Sequence, residues 1–176
     1  MTCGGKSLIT DSLVPQIICR IIEICIFKFF RDKPHYLLLH RSKDEKVYPG
    51  IWQLMSGTIE KNEGGVEAAL REFKEETALN VSRFWVVPHV NSFYDPDHDA
   101  VNLSPLFAAQ VEEGSVPRLS SEHSEHTWFS YEEALRKLVW PGQRAGLKVV
   151  HEYIISGEKA AKLLEMRFNS NSQAHE

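Results

Sequence analysis

Cysteine is scarce in this chain of 176 residues, which contains only Cys3, Cys19 and Cys25. An odd number of cysteines without a CxxC pair argues against a disulfide framework and against a zinc site built on thiolates. We therefore predict a protein of a reducing compartment and expect it to be cytoplasmic.

The chain also lacks an excess of positive charge. It has 20 Lys and Arg against 24 Asp and Glu, which gives a formal net charge of −4. Because no basic field is available to attract a long phosphate backbone and release its counterions, nucleic acid is not expected as a partner.

Long apolar runs are absent too. The most apolar stretch, Ile17 to Phe30, is shorter than the about 20 residues that a membrane helix needs, and Arg20, Glu23 and Lys28 interrupt it. The residues before it contain no apolar run leading to an Ala-x-Ala cleavage site. We expect neither a membrane partner nor a secretory signal.

The composition of the chain is that of a globular protein, with 43% hydrophobic and 25% charged residues. Its length favours one domain. We expect a flexible N-terminal extension over residues 1–15, a single domain over 16–168 and a frayed, polar C-terminal tail over 169–176.

Apolar spacing and turn residues predict strands and helices in a mixed order. The expected strands are 17–30, 36–41, 81–93, 103–111 and 127–130, with a turn at 32–34. The expected helices are 64–79, 130–140 and 142–155. Strands mixed with helices in this way indicate an α/β layered domain.

The helix after Gly64 carries the chemistry. On a helical wheel its carboxylates, Glu72, Glu75 and Glu76, cover one sector, and its apolar residues occupy another. Like charges at i,i+4 cost about 0.2–0.5 kcal/mol per pair, and a hard divalent ion such as Mg²⁺ relieves that repulsion. The alternative is that these are solvated surface glutamates.

The spacing around this helix distinguishes the two interpretations. Gly57, five residues, Glu63, seven residues and then REFKEETAL at 71–79 closely resemble the Nudix box, G-x5-E-x7-R-E-U-x-E-E-x-G-U, where U is apolar. Six fixed matches in one window arise by chance about once in 10⁶ to 10⁷ windows. The resemblance implies a Nudix fold, a mixed β-sheet sandwiched between helices (α/β/α), over about residues 16–155.

One fixed position departs from the box, because Ala78 stands where the family has glycine. That glycine ends the helix in a left-handed conformation, which costs another residue about 1–2 kcal/mol. We therefore expect the turn to shift toward Asn80.

The resemblance implies a divalent-metal cofactor, one to three Mg²⁺ or Mn²⁺ ions. Glu72, Glu75 and Glu76 are the implied ligands, together with the Gly57 carbonyl. Glu122, in a later loop, is either a further ligand or a catalytic group.

Catalytic roles are implied for four residues. Arg71 would orient the carboxylates, and Glu63 would complete the coordination or hold waters. The general base that accepts a proton from the attacking water is either Glu75 or Glu122, and the sequence leaves both open.

The implied reaction is hydrolysis of a diphosphate linkage in a nucleoside triphosphate-like substrate, which releases a monophosphate and pyrophosphate. Trp52-Gln53 before Ser56-Gly57, and Glu122-His123 before Trp128, are similar to small members of the family that act on nucleoside or dihydroneopterin triphosphates. Dinucleoside polyphosphates and ADP-ribose or nucleotide sugars are alternative substrates. A Nudix binding module without catalysis is the alternative of another class, but such modules commonly lose box carboxylates, and all four are present here.

Candidate contacts to the small-molecule substrate lie outside the box. They are Arg41, Trp52, Phe93, Tyr94 and His126, each weighed against a solvated or packed side chain. The family often dimerises, so a homodimer is an alternative to a monomer.

Overall fold

The computed structural model describes residues 14–120 and 122–167. The expected N-terminal extension lies outside these residues except for positions 14 and 15, and the expected tail lies entirely outside them. Both stay predictions. In the described parts, no helix is long and apolar enough to cross a membrane.

Nine strands and four α-helices follow one another in the described residues. The strands are β1 (Gln16–Ile18), β2 (Ile21–Phe30), β3 (Lys33–Arg41), β4 (Trp52–Gln53), β5 (Met55–Thr58), β6 (Arg83–Asp95), β7 (Ala100–Gln110), β8 (His123–Phe129) and β9 (Glu165–Met166). The helices are α1 (Gly65–Thr77), α2 (Tyr131–Lys137), α3 (Pro141–Val149) and α4 (Glu158–Leu164), and a π-helical turn, Val150–Ile155, continues α3.

The strands form one mixed sheet in the order β4-β3-β2-β7-β6-β9. In addition, β1 pairs with β7, β5 with β2 and β8 with β3. The β2–β7 and β1–β7 pairs are parallel, and the others are antiparallel.

The sheet is covered on both faces because the side chains of its central strand alternate between two cores. Ile24 and Ile26 of β2 belong to the cluster that contains Phe73 of α1. Cys25 and Phe27 belong to the cluster that contains Leu147 of α3. The predicted α/β/α sandwich is therefore confirmed.

Two predicted elements at the start of the domain need correction. The strand expected over 17–30 is two strands, because β1 pairs with β7 at Ala100–Asn102 whereas β2 pairs with it further along, at Leu106–Gln110. The turn expected at 32–34 lies at Arg31 and Asp32, whose φ angles of 49° and 62° fit a two-residue hairpin turn.

Later elements differ as well. The helix expected over 142–155 turns π-helical from Val150, and neither α4 nor β9 was predicted. The strand expected at 127–130 begins at His123. This early start matters for the site, because it places Glu122 beside β3.

Candidate active site

Helix α1 presents its acidic side to strand β5 across a very short distance. A Cβ atom added to Gly57 would lie 2.3 Å from Cγ of Glu72, so only glycine allows this approach. The backbone N–H of Thr58 donates to Glu72 Oε1 at 3.0 Å. Gly57 and Glu72 are thus in direct contact.

Arg71 links the acidic residues to one another. Its Nε and Nη2 donate to the two carboxylate oxygens of Glu63, at 2.8 and 2.9 Å, and Nη2 also donates to the Thr58 carbonyl at 2.8 Å. Its Nη1 lies 3.0 Å from Glu72 Oε1 and 3.1 Å from Glu75 Oε2. Arg71 thus contacts three of the four box carboxylates, and its orienting role stays a prediction.

The two-point contact with Arg71 sets the ionisation of Glu63. The hydrogen bonds from Arg71, followed by one from the Glu60 backbone N–H, lower the pKa of Glu63 to about 2. The same contact raises the pKa of Arg71. Both groups are therefore charged at neutral pH, and Glu63 is paired with Arg71 rather than facing the cavity described next.

A cavity of about 190 Å³ opens between α1, β5 and the segment before β8. It is lined by Ile21, Arg41, Ser56, Gly57, Thr58, Glu72, Glu76 and Glu122. Three predicted metal-binding carboxylates, the predicted Gly57 and one predicted substrate contact, Arg41, thus meet at one place.

Glu76 is the buried member of the acidic cluster, only 5% exposed. Burial is the largest cause, and the neighbouring charges of Glu122 and Glu72 add to it, so that the pKa of Glu76 rises to about 8. A carboxylate held among other carboxylates in this way favours either a proton or a cation.

His123 packs behind Glu76, with Nδ1 3.3 Å from Glu76 Oε2. Burial, together with the charge of Arg41, lowers the pKa of His123 to about 4. The imidazole is therefore neutral at pH 7, and its contact with Glu76 is not an ion pair.

The donor set of the cavity fits a hard divalent cation. Carboxylates and a backbone carbonyl are the ligands that Mg²⁺ and Mn²⁺ prefer, and a cation relieves the repulsion that raises the pKa of Glu76. In the described parts of the chain, no three His, Cys, Asp or Glu side chains already have the arrangement of a metal site. Arg71 and Thr58 both engage Glu72 through the same oxygen, Oε1.

The remaining predicted site residues lie outside this cavity lining. The Glu75 side chain is 60% exposed and contacts Arg71. Trp52 packs between the rings of His40 and Phe129, with centroids at 4.9 and 5.2 Å. His126, on β8, pairs with Leu39 of β3.

Phe93 and Tyr94 lie at the outer end of β6. Both are exposed, and the Tyr94 hydroxyl donates to Asp99 across the hairpin to β7 at 2.8 Å. Their predicted contact with substrate, like those of Trp52 and His126, stays a prediction.

The helix end expected to shift toward Asn80 does not shift. Ala78 itself takes the left-handed conformation, with φ 55° and ψ 11°. The Lys74 ammonium stabilises this turn, because it donates to Asn80 Oδ1 at 2.9 Å and to the carbonyls of Ala78 and Leu79 at 3.4 and 3.3 Å. A side chain thus offsets part of the cost that glycine avoids.

Sequence reasoning missed several residues of the cavity and of its wall. Ile21, Ser56 and Thr58 contribute through strand pairing, which the short segments β4 and β5 gave little pattern to predict. The neighbours of His123 depend on the β3–β8 pairing, a long-range contact. Thr58 could have been found from the sequence, because it directly follows Gly57 of the box.

Known proteins resemble this chain in sequence. The family model of the NUDIX domain matches residues 20–150. A dihydroneopterin triphosphate diphosphatase of Haemophilus influenzae is 29% identical over 126 residues, which are 64% of this chain and 76% of the relative. A bis(5'-nucleosyl)-tetraphosphatase of Mus musculus is 27% identical over 110 residues, which are 60% and 73% of the two chains.

A solved structure is similar as well. The crystal structure of a NUDIX hydrolase from Listeria monocytogenes superposes with a TM-score of 0.68 and 26% identity, over 79% of this chain and 96% of that one. The fold, the box and the family match together show that the chain belongs to the Nudix family. Within that family it is an enzyme, a pyrophosphohydrolase that acts on phosphorus-containing acid anhydrides.

Proposed function

We propose that the chain uses Mg²⁺ or Mn²⁺ to hydrolyse a diphosphate linkage in a nucleoside triphosphate-like substrate, with release of a monophosphate and pyrophosphate. The observation that carries this proposal is the meeting of Glu72, Glu76 and Glu122 in one cavity beside Gly57. Three carboxylates this close repel one another, and divalent cations that also bind the phosphates of a substrate relieve that repulsion.

The metal ligands are proposed to be Glu72, Glu76 and the Gly57 carbonyl. When bound, the ions would neutralise charge that develops on the phosphates. Arg71 forms ion pairs with Glu72 and Glu75. Arg41 lines the cavity from β3 and would contact the anionic phosphate chain.

We propose Glu122, rather than Glu75, as the general base. Both side chains are exposed, but Glu122 lines the cavity, whereas Glu75 lies outside its lining and is paired with Arg71. Glu122 would accept a proton from the attacking water while the oxygen of that water bonds to phosphorus. The bond from phosphorus to the bridging oxygen then breaks, and the bridging oxygen leaves with the pyrophosphate.

For the substrate, we propose a nucleoside or dihydroneopterin triphosphate. The Haemophilus influenzae relative supports this class by its name. The Mus musculus relative supports dinucleoside tetraphosphates as a second candidate. We also propose a cytoplasmic location, which the free thiols of Cys19 and Cys25 support.

Two matched variants test the site, Glu122→Gln and Glu75→Gln, assayed at saturating Mg²⁺ with a triphosphate that the enzyme turns over. Loss of a general base lowers kcat by about 10²- to 10⁴-fold, and we expect that loss for Glu122→Gln only. Glu158→Gln, an exposed residue of α4, serves as the control. A larger loss in Glu75→Gln would reverse the assignment, and no loss in either variant would reject both residues as the base.

A further inference from the structure

Three buried polar side chains from distant parts of the chain meet behind the acidic cavity. They are Gln53 of β4, His123 of β8 and Glu76 of α1, which are 6%, 5% and 5% exposed. Gln53 Nε2 lies 3.4 Å from His123 Nε2, and His123 Nδ1 lies 3.3 Å from Glu76 Oε2. Burying polar groups is unfavourable unless they bond to one another.

Which atom donates at each contact between Gln53, His123 and Glu76 follows from the chemistry of the side chains. The Gln53 amide N–H donates to His123 Nε2, so a neutral imidazole carries its proton on Nδ1. That N–H faces Glu76 Oε2. Both atoms are sealed from solvent, and among the described residues neither has a hydrogen-bond partner. They lie within contact distance but are not aligned as a hydrogen bond, so each has bonding capacity available for the other.

We infer that His123 is a positioning residue for Glu76, oriented by Gln53. When Glu76 is charged, a small rotation of the two side chains aligns this N–H with Oε2, which holds that oxygen against the wall and leaves Oε1 available to a cation in the cavity. This inference rests on the proposed metal-dependent function. Carboxylates that bind metal are commonly held by such a partner, and removal of the partner typically weakens metal binding about 10- to 100-fold.

The surroundings of the pair favour this role over simple packing. Arg41, Glu72 and Glu122 line the cavity together with Glu76, whereas His123 is buried and lies outside this lining. An apolar residue would pack there without the cost of a buried imidazole. Only a group with an N–H directed at Oε2 fixes which oxygen faces the cavity.

A pair of variants of nearly equal shape tests the inference by direct measurement of Mn²⁺ binding, using calorimetric titration of the metal-free full-length protein. Asparagine can place an amide N–H close to the position of Nδ1, whereas leucine cannot donate. We expect His123→Leu to weaken Mn²⁺ binding about 10- to 100-fold, while His123→Asn stays within about threefold of the wild type. Thermal unfolding in the absence of metal identifies any variant that fails to fold.

His98→Leu and His98→Asn are the controls, because His98 is exposed on the β6–β7 hairpin. If folded His123→Leu binds Mn²⁺ as tightly as the wild type, or if His123→Asn is as weak as His123→Leu, the positioning role is wrong. Glu76→Gln separates this failure from failure of the proposed function. If the wild type and Glu76→Gln bind Mn²⁺ equally, the metal site itself is elsewhere.

Discussion

At the scale of single residues, Glu76 differs from the other acidic groups of the box. Glu63 is paired with Arg71, and Glu75 is exposed, but Glu76 is buried next to Glu72 and Glu122. Its charged form is therefore unfavourable unless a cation is present. The proposed metal dependence of the site, and its dependence on pH, therefore rest mainly on this residue.

The first prediction concerns the stability of the metal-free protein. The pKa of Glu76 is raised to about 8 in the folded state, so between its unfolded value and about pH 8 the folded protein binds more protons than the unfolded one. Stability then falls as the pH rises through this interval. We expect the free energy of unfolding, measured by urea titration in chelator, to decrease from about pH 6 to about pH 8 and then to level off.

Glu76→Gln is the matched variant for this measurement. It has nearly the same shape and cannot ionise, so its stability should change less over the same pH interval. Equal pH dependence in the two proteins would mean that another group titrates, and the assignment to Glu76 would have to be abandoned.

At the scale of elements, the site depends on how closely β5 docks on α1. Gly57 pairs with Ile22 of β2, which fixes β5 to the sheet, and the same glycine contacts the side chain of Glu72. The contact leaves no room for a methyl group, so strand and helix are held at one separation.

Gly57→Ala should therefore displace Glu72 and weaken metal-dependent turnover. The added Cβ would lie 2.3 Å from Glu72 Cγ, and a loss of about 10- to 100-fold is expected for a displaced ligand. Gly114→Ala is the control, because nothing lies within 4 Å of its added Cβ. Turnover is measured over a range of Mg²⁺ concentrations. If Gly57→Ala retains wild-type turnover, the close approach of β5 to α1 is not needed for activity.

The end of α1 gives a prediction about stability. Ala78 has a φ of 55°, which glycine adopts without strain but at a greater loss of chain entropy. Because relief of strain exceeds the added loss of entropy, we expect Ala78→Gly to stabilise the protein by about 0.5–1 kcal/mol. Thermal unfolding should show this as a small rise in Tm. Asn80→Gly should give no gain, since Asn80 accepts a hydrogen bond from Lys74. A gain for Asn80→Gly alone would place the turn where the sequence first suggested.

Local pattern predicted α1 well, because Phe73 and Thr77 recur at helical spacing and the box fixes its neighbours. The same pattern could not show that Glu76 is buried, since that depends on β8 packing behind it. Nor could it separate β1 from β2, because the break reflects where each strand pairs with β7. Elements with few residues, such as β4, β5 and β9, carry too little periodicity to be recognised.

At the scale of the whole molecule, topology brings the site together. Glu122 is far from the box in sequence, and it reaches the cavity because β8 pairs with β3 and the Ser42 N–H donates to the Glu122 carbonyl at 2.9 Å. The sequence therefore identified Glu122 as a candidate through family resemblance but could not place it. Its position beside Glu76 follows from the pairing of strands.

The central claim is that this cavity hydrolyses a triphosphate with divalent metal. The most direct measurement is Mg²⁺-dependent turnover of nucleoside triphosphates, dihydroneopterin triphosphate, dinucleoside tetraphosphates and ADP-ribose, with products separated by chromatography. We expect the highest kcat/KM for a triphosphate, with a monophosphate and pyrophosphate as products, and loss of that activity in Glu76→Gln. Preference for a dinucleotide or for ADP-ribose would overturn the substrate class, and no turnover with either Mg²⁺ or Mn²⁺ would contradict the claim itself.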